Sequence, residues 1–180
     1  VTLTAIKQAF LNDECHMYTG EIAIELLDVK DLRHELKLAK LVSPSWIKYH
    51  LKPRSYYGHK GIYGKVLQIT GCDHYRGAAL LASRAAVFSG SGIVCVCSSD
   101  KVIDALASTT PECTSLLREE ILDVNVFENR DAVLIGSGLG LNEQSERYVI
   151  DTLKNVKCPL VIDGDALTIV SKHLDLLKSC

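Results

Sequence analysis

The 180-residue sequence predicts an α/β fold built on a parallel sheet, and two features indicate it. From Gly58 onward, short apolar runs alternate with segments of helical periodicity. The run Ile93–Cys97 is apolar at every position, which is typical of a strand buried on both faces of a parallel sheet. Strands that alternate with helices of about 10 to 15 residues are typical of βαβ crossovers. We therefore expect a single parallel sheet flanked by helices.

Composition and charge exclude several classes of protein. Hydrophobic residues make up 47% of the chain and charged residues 23%, a balance typical of globular rather than disordered proteins. The 20 Lys and Arg against 22 Asp and Glu give a net charge of -2, which disfavours nucleic-acid and polybasic membrane surfaces. No apolar run approaches the roughly 18 residues that a membrane-spanning helix requires. The sequence therefore predicts neither a nucleic-acid nor a membrane partner.

The seven cysteines are an odd number without a regular framework, and they predict free thiols in a reducing cytoplasm. Cys95 and Cys97 are two positions apart on a predicted strand, so they share one face and are expected in the core. Cys15-His16 has no second ligand pair at zinc spacing. No metal-ligand set is predicted.

Four apolar runs are predicted to be strands: Val66–Thr70, Ile93–Cys97, Ala132–Ile135 and Leu160–Ile162. Helical periodicity predicts a helix after each of them. The first helix covers Gly77–Ser89, and the second is capped by Ser99 or Asp100. The third is capped by Asn142. Apolar positions at helical spacing mark two of these helices: Leu81, Ala85 and Phe88 in the first, and Leu167, Val170, Leu174 and Leu177 in the last.

The first 52 residues differ from the rest of the chain. A strand-like run, Glu21–Val29, precedes the charge-dense stretch Lys30–Lys40, which carries apolar residues at helical spacing. We predict a short amphipathic helix in that stretch. Lys52–Ser55 interrupts the pattern and is predicted to be a linker.

Three glycine-containing loops follow predicted strands: Gly71–Gly77, Gly136–Gly140 and Asp163–Asp165. Ligands of open α/β sheets bind beyond the carboxyl ends of the strands, where glycine allows close approach and helix amides attract phosphate. Any one of these loops is equally consistent with a tight turn. The second loop has neither the G-x-G-x-x-G fingerprint nor the Gly-Lys-Ser/Thr of a P-loop. That absence disfavours a Rossmann dehydrogenase and a P-loop nucleoside triphosphatase.

Six motifs follow one another in order over Gly58–Leu177. They are His59–Val66 (HKG-x-YG-x-V), Gly71–Ala78 (G-x-x-x-Y-x-GA), Ser89–Val94 (SGSGIV), Pro111-Glu112, Gly136–Gly140 (GSGLG) and Asp163–Leu167 (DGDAL). The series resembles the ADP/ATP-dependent NAD(P)H-hydrate dehydratases, whose domain is ribokinase-like. Two mild departures are Ser137, where the family usually has proline, and Gly164, where it usually has alanine.

The resemblance implies a hydro-lyase that uses ADP or ATP with Mg²⁺ to convert the S-hydrate of NADH or NADPH back to the dihydronicotinamide. It implies that Gly77, Ala78 and Gly138 line the hydrate pocket. Candidate contacts to the nucleotide, its ribose or Mg²⁺ are His59, Lys60, Tyr75, Asp163 and Asp165. For the two aspartates, a capping or turn role is equally open. A cytoplasmic homo-oligomer is also expected.

The two ends of the chain each lead to a further expectation. Thr2–Val29 resembles the closing segment of the epimerase domain that precedes the dehydratase in bifunctional versions. We therefore expect residues 1–52 to be a remnant of that domain with a linker, and residues 53–180 to be the front part of the dehydratase domain. The family's catalytic aspartate, anion hole and Lys-Gly nucleotide stretch do not occur before Cys180. The C-terminal third is thus expected to be missing, and the isolated chain to be inactive.

Two other functions stay open. A ribokinase-like kinase of small molecules such as vitamin precursors would use similar glycine loops, although the HKG-x-YG motif argues against it. A non-catalytic fragment that only binds nucleotide is the second alternative. Phosphoryl transfer to pyrimidine or thiazole alcohols would distinguish the kinase.

Overall fold

The computed structural model describes residues 1–3, 6–25, 27, 42–51, 53–122 and 124–177. The chain divides into two compact units, Val1–Pro53 and Arg54–Cys180. The predicted amphipathic helix at 30–40 lies outside the described residues, as does part of the strand-like run at 21–29. Among the residues that are described, no helix combines the length and apolar character needed to cross a membrane.

The first unit contains short elements. Strands β1 (Thr2–Leu3) and β2 (Ile24–Glu25) pair in parallel, and helix α1 (Asp13–His16) lies between them in the chain. Helix α2 (Pro44–His50) begins with proline, which suits the first helical position because its missing N–H needs no partner there. The Ser43 hydroxyl accepts from the Trp46 N–H at 3.2 Å and caps this helix.

The second unit is built on a five-stranded sheet, counted over its described residues, in which every neighbouring pair is parallel. Its strands are β3 (Lys65–Ile69), β4 (Ile93–Ser98), β5 (Thr114–Leu117), β6 (Ala132–Ile135) and β7 (Leu160–Ile162). Their order across the sheet is β5-β4-β3-β6-β7. The predicted α/β class and all four predicted strands are confirmed. Strand β5 was missed because Thr114 and Ser115 interrupt its apolar character.

Five α-helices connect and cover the strands within the described part of this unit: α3 (Arg76–Phe88), α4 (Asp100–Thr109), α5 (Glu143–Asn155), α6 (Gly164–Val170) and α7 (Leu174–Leu177). Short 3₁₀ helices lie at Lys60–Ile62, Arg118–Leu122 and Val124–Phe127. The predicted cap of α5 is confirmed, since Asn142 Oδ1 accepts from the Ser145 N–H at 2.8 Å. Ser99 occupies the N-cap position of α4 without a side-chain cap bond.

The two faces of the sheet carry separate cores. On one face, Leu67, Cys95 and Val133 pack with buried residues of α5 and α6. On the other face, Val94 and Val96 pack with buried residues of α3 and α4. Cys95 and Cys97 are both buried in the first core, as their spacing predicts.

Two helix predictions need correction. The last helix is not continuous, because α6 ends at Val170 and α7 begins only at Leu174. Helix α3 forms as predicted, but its apolar stripe faces solvent: Leu81 is 72% exposed and Phe88 is 78% exposed. The small residues Ala79 and Ser83 pack on the sheet instead. Their size lets the α3 backbone approach the strands closely.

Candidate functional site

The sheet has a topological switch point between β3 and β6. From β3 the chain proceeds through α3 to β4 on one side, whereas β6 leads through α5 to β7 on the other. The β3 loop (residues 70–75) and the β6 loop (residues 136–142) therefore diverge at the carboxyl ends of adjacent strands. A crevice at such a point is where open α/β sheets bind ligands.

The two loops are joined through their backbones. The Gly71 N–H donates to the Ser137 carbonyl at 2.8 Å. Gly136 has a φ of +121°, and a β-carbon there would lie 1.9 Å from the Asp163 carbonyl oxygen. Only glycine fits at position 136, because another residue would clash with this backbone atom. The loop after β7 is thereby packed directly against the β6 loop.

Asp163 and Asp165 fasten the β6 loop with their side chains. Asp163 Oδ2 accepts from the Ser137 hydroxyl at 2.7 Å, and Asp165 Oδ2 accepts from the Gly140 N–H at 2.8 Å. Asp163 occupies the N-cap position of α6 but makes no side-chain cap bond. Each aspartate thus has a structural role at one carboxylate oxygen.

A cleft of about 470 Å³ opens at this edge of the sheet. Its lining comes from the β3 and β6 loops, from the starts of α4 and α5, and from the segment after β5. The lining residues are Cys72, Asp73, His74, Tyr75, Ser99, Arg118, Glu119, Leu139, Gly140, Leu141, Asn142 and Gln144. The cleft is large enough for part of a nucleotide, since small-molecule pockets run from about 300 to 1,000 Å³.

The charges of the cleft are unequally compensated. Lys101 donates to Asp73 at 2.7 Å, and this bond holds the pKa of the Asp73 carboxyl below its usual value. Arg118 is 7% exposed, and no carboxylate among the described residues lies within ion-pair distance of its guanidinium. Its Nε–H is buried without an acceptor. An anionic ligand fits this donor set, because a buried cation without a carboxylate partner favours negative charge nearby.

The N-terminus of α3 adds to this polarity. Tyr75 occupies its N-cap position without a side-chain cap bond, and its first turn has no acidic residue. Helix N-termini carry partial positive charge and free N–H groups that suit phosphate. The N-terminus of α5, in contrast, is capped by Asn142 and carries Glu143 and Glu146.

Six of the eight candidate site residues come together at this edge. Gly138 contacts the start of α3, because a β-carbon there would lie 2.7 Å from Ala78 Cβ and 2.9 Å from Tyr75 Cβ. Gly77 adjoins Ala78, and space for a side chain is open at that position. The two aspartates complete the group through their bonds to the β6 loop.

His59 and Lys60 are not part of this group. They lie before β3, at the amino end of the strand, and the remaining candidates follow the carboxyl ends of strands. His59 Nδ1 accepts from the Gly61 N–H at 3.2 Å and caps the 3₁₀ helix at Lys60–Ile62. The backbone oxygen of Lys60 packs against Gly92, where a β-carbon would lie 1.8 Å from it.

Sequence reasoning missed Arg118, which lines the cleft from the end of β5. The sequence contained one indication of this position, because an arginine directly follows the segment Thr114–Leu117. That segment was not predicted to be a strand, so its carboxyl end was not recognised as belonging to the ligand edge.

Comparison with known proteins agrees with the resemblance carried by the sequence motifs. The family model described as NAD(P)H-hydrate dehydratase matches residues 66–179. The chain is 38% identical over 125 residues to the ADP-dependent (S)-NAD(P)H-hydrate dehydratase of Staphylococcus aureus, covering 68% of this chain and 45% of that protein. It is 30% identical over 173 residues to the bifunctional NAD(P)H-hydrate repair enzyme of Vibrio cholerae, covering 93% of this chain and 34% of that protein.

Solved structures show the same similarity. A ribokinase-like superfamily protein from Enterococcus faecalis matches with a TM-score of 0.70 and 30% identity, over 74% of this chain and 48% of that one. The ADP/ATP-dependent NAD(P)H-hydrate dehydratase from Bacillus subtilis, co-crystallised with ATP/Mg²⁺, matches with a TM-score of 0.63 and 32% identity. That match covers 69% of this chain and 46% of the other. The predicted ribokinase-like sheet is confirmed. The chain spans about half the length of the dehydratases it matches.

Proposed function

Because the chain belongs to the NAD(P)H-hydrate dehydratase family, we propose that it acts in the ADP- or ATP-dependent dehydration of the S-hydrate of NADH or NADPH. The reaction is that of a hydro-lyase, and it repairs the nicotinamide nucleotide. One observation carries the proposal: the joined β3 and β6 loops frame a cleft at the switch point of the sheet. The motifs of these loops are the ones that resemble the family.

Six candidate residues at this edge of the sheet have distinct roles in this proposal, and Tyr75 is the one of them that lines the cleft. Gly77, Ala78 and Gly138 line the hydrate pocket, where the absence of large side chains leaves room for a ring and its phosphates. Tyr75, Asp163 and Asp165 contact the nucleotide, its ribose or Mg²⁺ with the atoms that their structural bonds leave free. When bound, ADP or ATP supplies a phosphoryl group that turns the hydroxyl of the hydrate into a better leaving group. His59 and Lys60 are not included in the site.

We also propose the domain assignment that the resemblance implies, with residues 1–52 as a remnant of an epimerase-like domain plus linker and residues 53–180 as part of the dehydratase domain. The Vibrio cholerae bifunctional enzyme supports it, because a match over 93% of this chain must extend into the first unit. The boundary between the two compact units falls after Pro53.

A cytoplasmic homo-oligomer completes the proposal. The six cysteines of the described residues are free thiols, which is consistent with a reducing compartment. The exposed stripe of α3 supports self-association, since exposed apolar surface of this kind is characteristic of interfaces. Light scattering of the protein and of Phe88→Asp tests the oligomer. The wild type should give the larger mass.

The test of the proposed activity begins with binding. The purified protein is titrated by calorimetry with the S-hydrate of NADH, the R-hydrate and NADH itself. We expect the S-hydrate to bind most tightly. ADP or ATP and Mg²⁺ are then added, and dehydration is followed as recovery of the dihydronicotinamide absorbance. Because the isolated chain is expected to be inactive, the preference for the S-hydrate, and not turnover, decides the test.

Two results would overturn the proposed function. One is equal affinity for the S- and R-hydrates, because the pocket would then not recognise the reacting centre. The other is phosphoryl transfer from ATP to a pyrimidine or thiazole alcohol without binding of the hydrate, which would assign the kinase function instead.

A further inference from the structure

Arg118 is a buried cation at the ligand edge of the sheet. It follows β5 directly and begins the 3₁₀ helix Arg118–Leu122. It is 7% exposed, and no carboxylate of the described residues lies within ion-pair distance. Burial of a charged group without a partner is strongly unfavourable. The position therefore calls for groups that compensate the guanidinium.

Two backbone carbonyls supply part of that compensation. One terminal nitrogen donates to the Gly71 carbonyl, and the other lies 3.5 Å from the Leu139 carbonyl. Gly71 belongs to the β3 loop and Leu139 to the β6 loop, so a single side chain connects both walls of the crevice. The ring of Tyr148 lies 5.7 Å from the centre of the guanidinium and supports it from α5.

The guanidinium retains donors that these carbonyls do not use. Arginine carries N–H groups on three nitrogens, and Arg118 Nε is buried without a hydrogen-bond acceptor among the described residues. Arg118 lines the same cleft as Tyr75, the N-cap residue of α3, which makes no side-chain cap bond. The negative charges nearby do not neutralise it: Asp73 pairs with Lys101, and Glu119 is exposed.

We propose that Arg118 binds a phosphate group of the ligand while it holds the two loops of the crevice in place. Guanidinium groups match phosphate oxygens in a planar, forked geometry, which an ammonium group does not reproduce. The phosphate belongs either to the adenine nucleotide or to the nicotinamide dinucleotide. The inference rests on the proposed function for the identity of these two ligands.

The experiment compares Arg118→Met and Arg118→Lys with the matched control Arg130→Met. Arg130 is a half-buried arginine that donates to the Val126 carbonyl at 3.0 Å and lies before β6, at the other end of that strand. The purified proteins are titrated by calorimetry with ADP, adenosine, pyrophosphate and NADH. Circular dichroism establishes that each variant is folded. If Arg118→Met does not fold, the Arg118→Lys titrations decide.

We expect Arg118→Met to weaken phosphate-dependent binding by about 10- to 100-fold, the range for charge-assisted hydrogen bonds. Adenosine binding should not change, since adenosine has no phosphate. Arg118→Lys should fall between the wild type and Arg118→Met, and Arg130→Met should match the wild type. A loss confined to ADP and pyrophosphate assigns the phosphate to the adenine nucleotide. A loss confined to NADH assigns it to the dinucleotide.

Three results would overturn the inference. The affinities for every phosphate ligand could be the same in wild type and in both Arg118 variants. The variants could lose adenosine and ADP equally, which would make Arg118 a loop-positioning residue only. The wild type could bind none of the four ligands. The proposed function is tested separately, by recognition of the S-hydrate. If ADP binding depends on Arg118 but the S-hydrate is not recognised, the proposed function is wrong and the inference about Arg118 still holds.

Discussion

Gly138 packs so closely on Ala78 that a β-carbon at position 138 would lie 2.7 Å from the Ala78 β-carbon. Gly138 also has a φ of +64°, in the left-handed region that side chains disfavour. The β6 loop thus rests on the first turn of α3, and one glycine serves both the backbone conformation and the contact. The shape of the crevice depends on this pair.

Gly138→Ala should lower the free energy of unfolding by about 2–4 kcal/mol, because it combines left-handed strain with overpacking. Gly140→Ala is the matched control. Its φ is +88°, but the nearest atom to its β-carbon, Ser145 Oγ, lies at an ordinary 3.6 Å. We expect about 1–2 kcal/mol there from strain alone. Urea denaturation measures both, and equal losses would show that the Ala78 contact has no effect.

Gly77→Leu separates ligand binding from folding. A β-carbon at Gly77 meets nothing within 4 Å, so the variant should fold with unchanged or slightly higher stability. The leucine would occupy the proposed hydrate pocket, and affinity for the S-hydrate should fall at least about tenfold, equivalent to about 1.4 kcal/mol. Ala107→Leu, at an exposed position of α4, controls for an added leucine on a helix. Calorimetric affinity equal to that of the wild type would remove Gly77 from the site.

Asp165→Ala should loosen the β6 loop locally. The substitution leaves the Gly140 N–H without its acceptor, at a cost of about 1–3 kcal/mol. Hydrogen exchange of the Gly140 amide should accelerate accordingly, while amides of β3 and β4 keep their protection. Asp165→Asn retains an oxygen acceptor and should restore most of that protection. Unchanged Gly140 exchange in Asp165→Ala would show that the carboxylate does not hold the loop.

Alkaline pH should destabilise the fold through Cys97. Burial raises the pKa of this thiol from 9.0 to about 12. The unfolded chain loses the proton first, so stability is fully present below about pH 9 and is lost as the pH rises towards 12. The slope for one such group is about 1.4 kcal/mol per pH unit.

Cys97→Ala provides the comparison for that slope. Cys113, Cys158 and Tyr148 also have pKa values raised chiefly by burial, and their contributions remain in the variant. The difference between wild type and Cys97→Ala, measured by urea denaturation from pH 8 to 10.5, therefore isolates Cys97. Parallel stability curves over this range would contradict the prediction.

Several features followed from local sequence. Hydrophobic periodicity and glycine placement predicted the α/β class, four of the strands in the second unit and the loops that carry the cleft. These are local properties, because a strand or a turn expresses the preferences of neighbouring residues. The cap at Asn142 was predictable for the same reason, since its bond to the Ser145 N–H spans only three residues.

Other features depended on contacts between distant parts of the chain. Periodicity identified α3 but not its buried face, because the sheet accepts Ala79 and Ser83 at close range and leaves Leu81 and Phe88 outside. His59 and Asp163 both belong to motifs of the same resemblance, yet the direction of β3 separates His59 from the cleft. Arg118 reaches Gly71 across 47 positions of sequence. Only the parallel order β5-β4-β3-β6-β7 brings Arg118 and Gly71 to the same edge of the sheet. Strand order arises from packing of the whole sheet, so local sequence does not reveal it.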